Sequence, residues 1–358
     1  MHCHLHWDPN PIAFYLPFLH HPIAWYGVLF ALGFMGGFYL LQLCLRWCFC
    51  FRCDFYKSDI VDSKSAIGEE KEHQVDVALL NTRLEEEKER PESCPPFLRF
   101  AKRHLSTQGF RRYANRAWLE KRLGASVLSL KQRSRRFSEH IIFYAILGVV
   151  IGARLCHILF YENPSHYLLH PLRIIKVWEG GLASHGALFG LLIGMTLFYL
   201  RKKKDYPMMS LLGTIDLLVI PGLFAGVLIR LGNFINQEVL GTVTSSFCGI
   251  FFGHPVGGVL PSVRHPTQLY EACFYLALFV LFLYRFPKWL FPTGRMAGLC
   301  LVMTFTFRFF IEFIKEKQSF YTCDHLLSMG QYLSLPSVVI GIFFLVIGSR
   351  YRLDLRVR

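Results

Sequence analysis

Seven long apolar runs divide the amino-acid sequence. The first, residues 23–45, contains no Asp, Glu, Lys or Arg. At ~1.5 Å of rise per residue, a helix of this length crosses a hydrocarbon layer of ~30 Å. The pattern predicts an all-α integral membrane protein with seven transmembrane helices, the other six runs being residues 141–161, 180–200, 208–229, 269–284, 296–313 and 333–349. The first basic side chain is Arg46, so the first run lacks the basic flank of a signal peptide and should be retained.

The composition agrees with a membrane protein. Hydrophobic residues make up 53% of the chain, and the mean hydropathy is +0.34, which excludes a disordered chain. With 358 residues the chain is also too long for a small domain stapled by disulfides, and its eleven cysteines are scattered over predicted spans and loops. Four of them cluster after the first run, but their spacing is not that of a zinc site, so no metal is expected: Cys44, Cys48, Cys50 and Cys53.

The net charge of +14 is distributed unevenly among the loops. Of the 39 Lys and Arg residues, 31 lie in the connections on one side of a seven-span arrangement and in the C-terminal tail. Loops rich in Lys and Arg stay in the cytoplasm, so the N-terminus is predicted outside and the C-terminus inside. The predicted parts are an outer N-terminus with the first helix (1–45), a basic cytoplasmic insertion (46–137), a six-helix remainder (138–349) with an outer loop region at 231–267, and a cytoplasmic tail (350–358).

The insertion 46–137 has two interpretations. Residues 69–90 mix acidic and basic side chains at helical spacing, and residues 99–136 are dominated by Arg and Lys. A solvated helical hairpin that follows the positive-inside rule explains both features. The alternative is a surface that binds anionic lipid headgroups or nucleic acid. No zinc finger or other recognised nucleic-acid motif occurs, so nucleic acid is not an expected partner.

Ionisable residues within apolar runs are costly, and each is therefore a hypothesis about function. Arg308 and Glu312 are four residues apart, so we expect an ion pair on one helical face, with a purely structural pair as the alternative. For His185 the alternative is a packing residue, and for Tyr26 it is the interfacial aromatic belt. The predicted outer ends of the spans collect polar residues in one leaflet: Tyr26, His185, Arg230, Asn233, Glu271, Arg308 and Glu312.

These residues lie in motifs that resemble those of the prolipoprotein diacylglyceryl transferases. Two runs carry most of the resemblance: Arg-Leu-Gly-Asn-Phe-Ile-Asn-Gln-Glu at 230–238 with Gly241, and Arg-His-Pro-Thr-Gln-Leu-Tyr-Glu at 264–271. The motifs are long, ordered and far apart, and they span nearly all of the chain outside the insertion. The shorter matches are Trp-Tyr-Gly at 25–27, Gly-Ala-Arg-Leu at 152–155, Ser-His-Gly at 184–186, and Arg308 with Glu312.

The resemblance implies a seven-helix enzyme of the bacterial inner (cytoplasmic) membrane, with an outside N-terminus and an active site toward the outer leaflet. Members of the family transfer the diacylglyceryl group of phosphatidylglycerol to the thiol of the lipobox cysteine of a prolipoprotein and release glycerol 1-phosphate. The expected partners are therefore phosphatidylglycerol, the prolipoprotein and the lipid bilayer. No metal or organic cofactor is expected, because the phosphate leaving group already activates the lipid.

The resemblance also assigns roles to residues of this chain. Arg230 and Arg308 are expected to bind phosphate oxygens, and His185 is expected to accept the thiol proton, since the pKa of an arginine exceeds ~12. Glu312 would orient Arg308. The remaining expectations are a headgroup site lined by Asn233, Glu238 and Gly241, a hydrogen bond from Tyr26, and support from Arg154, Arg264 and Glu271.

Two positions depart from the family pattern. Thr304 stands where members have a tyrosine, and Lys315 stands where they have an arginine. Lysine keeps the charge but loses the fork geometry, so the headgroup contacts are expected to differ in detail. Two rival functions stay open on the sequence. One is a transporter or flippase that binds a lipid headgroup without bond chemistry, and the other is a scaffold that acts through its basic insertion.

Overall fold

The computed structural model describes residues 4–15, 22–52, 60–61, 126–127, 130–160, 174, 184–203, 206, 210–256, 259–289, 293–316 and 327–350. The chain divides into two compact units, which we call unit one (Met1–Leu40 and Ile215–Arg358) and unit two (Leu41–Thr214). Most of the predicted insertion 46–137 and nearly all of the predicted tail 350–358 lie outside the described residues.

Long apolar helices dominate the described residues. In chain order they are α1 (Trp25–Arg52), α2 (Leu130–Phe160), α3 (Ser184–Lys202), α4 (Leu211–Leu217), α5 (Val219–Ile235), α6 (Thr267–Trp289), α7 (Arg295–Ile311) and α8 (Met329–Arg350). Six segments of the described chain are long and apolar enough to cross a membrane: Trp25–Arg46, Lys131–Leu159, Leu211–Ile235, Thr267–Phe286, Arg295–Ile314 and Gly330–Gly348. The predicted class, a helical membrane protein, is confirmed at this level.

Helix α3 covers the third predicted span but is not one of these six segments. It is 19 residues long, begins with Ser184 and His185, and ends with Arg201 and Lys202. Polar residues at both ends lower the mean hydropathy of any long window within it. The structure thus gives six clear candidate spans and one apolar helix with polar ends.

Unit one also contains a small sheet. Strand β1 (Leu5–Trp7) pairs in parallel with β6 (Ile250–Phe252), which pairs antiparallel with β7 (Ser262–Arg264). Strands β2 (Ile12–Tyr15) and β3 (Pro22–Ala24) form a separate antiparallel pair. The segment Ile250–Phe252 is aromatic and β-branched, a composition that favours strands, and it is buried with Phe234 and Leu240. The region 231–267, predicted as an outer loop, therefore holds two strands that the all-α prediction did not include.

The long apolar helices of unit one pack closely. Helix α1 approaches α5 where Gly33 meets Ala225, since a Cβ on Gly33 would lie 3.3 Å from the Ala225 Cα. Asp216, left open by the sequence, is fully buried and accepts hydrogen bonds from the backbone N–H groups of Gly294 (2.6 Å) and Ala297 (2.7 Å). These N–H groups belong to the start of α7 and have no partner within the helix. Asp216 therefore caps α7, the helix that carries Arg308.

Unit two is built on the contact between α2 and α3. The two backbones approach so closely that a Cβ on Gly190 would collide with the carbonyl oxygen of Gly148. Small residues allow such approach between membrane helices. In the same unit, the rings of Phe137 and Tyr206 meet edge to face, with 4.2 Å between their centroids. Two further strands, β4 (Ile60–Val61) and β5 (Ser126–Val127), pair at the edges of the insertion.

Candidate active site

The polar residues of unit one gather where three helices end or begin. Helix α5 carries Arg230 and Asn233 near its C-terminal end, and α7 carries Arg308 in its last turn. Glu271 is the fifth residue of α6. A short 3₁₀ helix, Glu312–Ile314, follows α7 directly. The side-chain distances given below show that these helix ends meet.

Glu271 is the centre of the cluster. Its side chain has no exposed surface, and its two oxygens face different cations. Oε2 lies 3.1 Å from Nε of Arg230, and Oε1 accepts a hydrogen bond of 3.1 Å from Nζ of Lys315. A buried carboxylate is strongly unfavourable unless cations compensate it, and here two of them do so. Glu271, expected only as a supporting residue, thus fixes both Arg230 and Lys315.

Lys315 follows the 3₁₀ helix and is itself buried, with 8% of its surface exposed. Burial lowers the pKa of Lys315, and the charge of Glu271 opposes this effect. Its backbone pairs with that of Gly241 in an isolated β-bridge. Lys315, where the chain departs from the family pattern, therefore has two functions in the fold. Its backbone pairs with Gly241, and its side chain supplies a positive charge to Glu271.

The expected ion pair between Arg308 and Glu312 is wrong for this structure. The Glu312 carboxylate lies 3.7 Å from Nζ of Lys315, and among the described residues Arg308 forms no ion pair. The i,i+4 relation itself is kept, since the Glu312 backbone N–H bonds to the Arg308 carbonyl, but the Glu312 side chain lies beside Lys315, three residues on along the 3₁₀ turn. Arg308 acts electrostatically on Lys315 and on the buried Tyr275, and so belongs to the cluster without a carboxylate of its own.

Asn233 and Glu238 form a direct pair. The amide Nδ2 of Asn233 donates a hydrogen bond of 2.8 Å to Oε1 of Glu238, and Asn233 is only 7% exposed. Its Oδ1 lies 3.5 Å from Nη1 of Arg230. The backbone carbonyl of Glu238 accepts a hydrogen bond of 2.7 Å from Nε2 of Gln268. The structure therefore brings Arg230, Asn233 and Glu238 together, as the sequence predicted.

Gly241 lies where three backbone segments converge. A Cβ at this position would lie 2.5 Å from the carbonyl oxygen of His265 and 2.9 Å from that of Ile314. Only glycine fits such a close approach. Arg264 fastens the same junction, because its Nη1 donates to the Gly241 carbonyl (3.1 Å) and to Glu316 (2.7 Å). Gly241 and Arg264 therefore both hold the backbone segments together at this point.

Tyr26 belongs to the same region. It lies in the first turn of α1, against Gly232 of α5, where a Cβ would come within 2.9 Å of its ring. Tyr26 interacts electrostatically with Arg230 and Glu238. The absence of a side chain at position 232 thus lets the Tyr26 ring approach the cluster.

The two remaining predicted residues belong to unit two. His185 is the second residue of α3, and its side chain lies outside the described part of the structure. Arg154 is 6% exposed, and its Nε donates a hydrogen bond of 3.1 Å to the backbone carbonyl of Ile174. Its observed contact therefore holds a backbone segment within unit two.

Two residues of the cluster were missed by the sequence interpretation. Tyr275 is 7% exposed and interacts with Arg230 and Glu271. It lies four residues after Glu271 on α6, so the helical repeat offered a signal. Gln268, which is fully buried, lies inside the quoted motif but was given no role.

The cluster is suited to binding an anion. Three cations, Arg230, Arg308 and Lys315, share the cluster with three carboxylates, Glu238, Glu271 and Glu312, so the formal charges balance and the capacity for an anion lies in the donors that are not paired. Arg230 retains 12% exposure of its side chain, and Arg308 is not neutralised by a carboxylate of the described residues. In a poorly hydrated site, arginine donors bind phosphate oxygens far more strongly than in water.

Comparison with known proteins gives concordant matches. Residues 115–347 match a family model described as prolipoprotein diacylglyceryl transferase. A protein of Protochlamydia amoebophila (strain UWE25), named phosphatidylglycerol–prolipoprotein diacylglyceryl transferase, is 33% identical over 350 residues, which cover 94% of this chain and 93% of the relative. That coverage extends through most of the 46–137 insertion.

Other matches are shorter and more similar. Proteins with the same name from Tolumonas auensis (strain DSM 9187 / NBRC 110442 / TA 4) and Chloroherpeton thalassium (strain ATCC 35110 / GB-78) are 42% and 41% identical. They cover 59% and 58% of this chain, and 79% and 75% of their own length.

Proposed function

The chain belongs to the prolipoprotein diacylglyceryl transferase family. On that premise we propose that it transfers the diacylglyceryl group of phosphatidylglycerol to the thiol of the lipobox cysteine of a prolipoprotein and releases glycerol 1-phosphate. The names of its relatives support both the lipid and the protein substrate. The observation that carries the proposal is the buried Glu271 with Arg230 and Lys315 at its two oxygens, and Arg308 within electrostatic reach of Lys315.

The lipid phosphate fits this cluster. Arg308 lacks a carboxylate partner among the described residues, and Arg230 pairs with Glu271 through its Nε while its Nη1 lies 3.5 Å from Oδ1 of Asn233. Both can donate to the non-bridging phosphate oxygens. Asn233 is set beside Arg230 by Glu238 and can donate to, or accept from, the glycerol headgroup.

The reaction exchanges one bond for another. The cysteine sulfur, as a thiolate, attacks the glyceryl carbon that is joined to phosphate. A C–S bond forms, the C–O bond breaks, and its electron pair leaves with glycerol phosphate. Negative charge grows on the leaving oxygen, and fixed arginines stabilise it more in the transition state than in the ground state.

His185 is the proposed acceptor of the thiol proton. It is placed at the start of α3, and neutral imidazole takes up a proton near neutral pH, whereas arginine does not. Glu312 is proposed to act through Lys315, its observed partner, in place of the direct orientation of Arg308 expected from the sequence. Tyr26 is proposed to donate a hydrogen bond next to Arg230.

The membrane arrangement is part of the proposal. We take α3 as a seventh span beside the six clear candidates, which puts the two termini on opposite sides, with the N-terminus outside and the C-terminus in the cytoplasm. The distribution of Lys and Arg supports this orientation. The cluster would then face the outer leaflet of a bacterial inner membrane, where an exported prolipoprotein meets phosphatidylglycerol.

A direct assay tests the activity. The purified protein in nanodiscs containing phosphatidylglycerol is incubated with a peptide carrying a lipobox cysteine. We expect release of glycerol phosphate in equal amount to the lipidated peptide, and no release with a peptide in which alanine replaces that cysteine. Binding of phosphatidylglycerol without release of glycerol phosphate would contradict the proposal and favour a headgroup-binding transporter or flippase.

A further inference from the structure

A strained segment of backbone lies next to the proposed headgroup site. Gln237 has a φ of 54° and Val239 a φ of 58°, both in the left-handed region. A non-glycine residue rarely adopts this conformation, and a β-branched residue such as Val239 does so at a real energetic cost. Such a conformation persists only when the surrounding contacts over-determine it.

The N-terminal strand supplies some of these contacts. The Trp7 indole stacks on Phe234 at 4.4 Å between ring centroids, and its Nε1 donates a hydrogen bond of 3.1 Å to the Phe234 carbonyl. The next residue, Asp8, accepts a hydrogen bond of 3.3 Å from Nε2 of Gln237 and is also hydrogen-bonded to the His254 ring. Two adjacent side chains of the N-terminal segment thus hold the chain around residues 234–237.

The loop after β6 holds Gln237 from another direction. Its side-chain Oε1 accepts a hydrogen bond of 2.8 Å from the His254 backbone, and its carbonyl accepts one of 3.1 Å from the Val256 backbone. Gln237 is only 2% exposed. Its side chain is therefore fixed at both ends, by Asp8 and by residue 254.

The strained residues flank Glu238. The Glu238 carboxylate accepts the hydrogen bond from Asn233, whose Oδ1 faces Arg230. Since Gln237 and Val239 set the direction of the backbone on either side, they decide where that carboxylate lies. A loss of their conformation would move Glu238, and with it Asn233.

We propose that Trp7 and Asp8 are positioning residues for the phosphatidylglycerol site, acting through Gln237 and Glu238. The proposal rests on the function proposed above and adds a role for the N-terminal strand, which lies about 230 residues away along the chain. It predicts a selective effect on the lipid substrate, because the contacts lead to Asn233 and Arg230.

The test compares variants in phosphatidylglycerol nanodiscs. Asp8→Ala removes the acceptor for Gln237, whereas Asp8→Asn keeps an oxygen there. We expect Asp8→Ala to raise KM for phosphatidylglycerol about three- to tenfold, as for one lost hydrogen bond, with KM for the lipobox peptide unchanged and kcat within about twofold. Asp8→Asn should restore most of the affinity. Glu139→Gln, which removes a carboxylate from an exposed ion pair with Arg135, is the matched control and should behave as wild type.

Two further measurements make the outcome decisive. Trp7→Phe keeps the stacking on Phe234 but loses the N–H donor, so it should also raise KM for the lipid. This variant replaces Asp8→Ala in the test if Asp8→Ala does not fold. Hydrogen exchange of the Glu238 and Val256 amides should quicken in Asp8→Ala, whether or not the protein is active. Unchanged exchange, or equal changes in KM for both substrates, would overturn the positioning role. A wild-type protein that releases no glycerol phosphate would contradict the proposed function alone.

Discussion

Arg230 and Glu271 form a buried ion pair, with 3.1 Å between Nε of the arginine and Oε2 of the carboxylate. Glu271 has no exposed surface, and its other oxygen is bound by Lys315. The pair connects α5 to α6, and Lys315 connects it to the end of α7. The position of Arg230 is thus set before any substrate binds, a form of preorganisation that raises the rate of a reaction.

Glu271→Gln should disturb this cluster strongly. Two neighbouring cations would lose their shared counter-charge, so we expect a loss of about 3–5 kcal/mol in the free energy of unfolding. We also expect a fall in kcat/KM of at least about tenfold, because Arg230 would no longer be held. Denaturant unfolding and the glycerol phosphate assay measure the two effects, with Glu139→Gln as the control for removing a carboxylate.

The double variant Glu271→Gln/Lys315→Met measures how strongly Glu271 and Lys315 stabilise each other in the folded protein. Removing Lys315 as well leaves one cation, Arg230, without its counter-charge in place of two, so the double variant should be more stable than the sum of the single effects by about 1–3 kcal/mol. Strictly additive effects would show that the two side chains do not interact in the folded protein.

His185→Gln and Arg230→Ala should separate chemistry from binding. If His185 takes the thiol proton, His185→Gln lowers kcat while the affinity for phosphatidylglycerol stays within about twofold; general-base catalysis typically contributes 10²–10⁴-fold. Arg230→Ala removes a hydrogen-bond donor to the phosphate and should lower both kcat and the affinity for phosphatidylglycerol. Lipid binding by fluorescence and single-turnover lipidation provide the comparison. Full turnover in His185→Gln would exclude the base assignment.

Gly241→Ala should destabilise the folded protein, whereas Gly222→Ala should be tolerated. A Cβ at 241 would lie within 3 Å of two backbone carbonyls, which cannot move independently, while a Cβ at 222 meets nothing within 4 Å. Alanine also favours the helix at position 222 by roughly 1 kcal/mol. The midpoint temperature of thermal unfolding and the expression level should therefore fall for Gly241→Ala. For Gly222→Ala both should stay the same or rise. Equal stability of the two variants would argue against the observed convergence at Gly241.

The Asp8 carboxylate should make stability depend on pH in the acid range. Its hydrogen bond with His254 lowers the pKa of Asp8 below its ordinary value of 3.8. A lowered pKa in the folded state means that the contribution is fully present above about pH 4 and is lost as the pH falls through the folded value. The difference in thermal midpoint between wild type and Asp8→Asn should thus shrink below about pH 4. A difference independent of pH would place its origin elsewhere.

The sequence predicted which residues lie close together better than it predicted the contacts between them. The motif at 230–238 brought Arg230, Asn233 and Glu238 into one proposal, and the structure places them together. The i,i+4 spacing of Arg308 and Glu312 suggested an ion pair, yet Glu312 faces Lys315. The backbone keeps the helical relation between the two residues, since the Glu312 N–H bonds to the Arg308 carbonyl. Spacing along a helix therefore gave the right neighbourhood, but it could not show that Lys315, beyond the helix end, lies beside Glu312.

The sequence by itself determined the membrane class and the family, because the length of an apolar run and the order of a motif are properties of the chain taken locally. It also predicts the orientation through the placement of Lys and Arg. Only the tertiary structure decided which charges compensate each other and which distant segment supports the site. Glu271 is hydrogen-bonded to Lys315, 44 residues away along the chain, and Asp8 to Gln237, 229 residues away. Such partners depend on how separate helices and strands meet in space, and no spacing along the sequence encodes that distance.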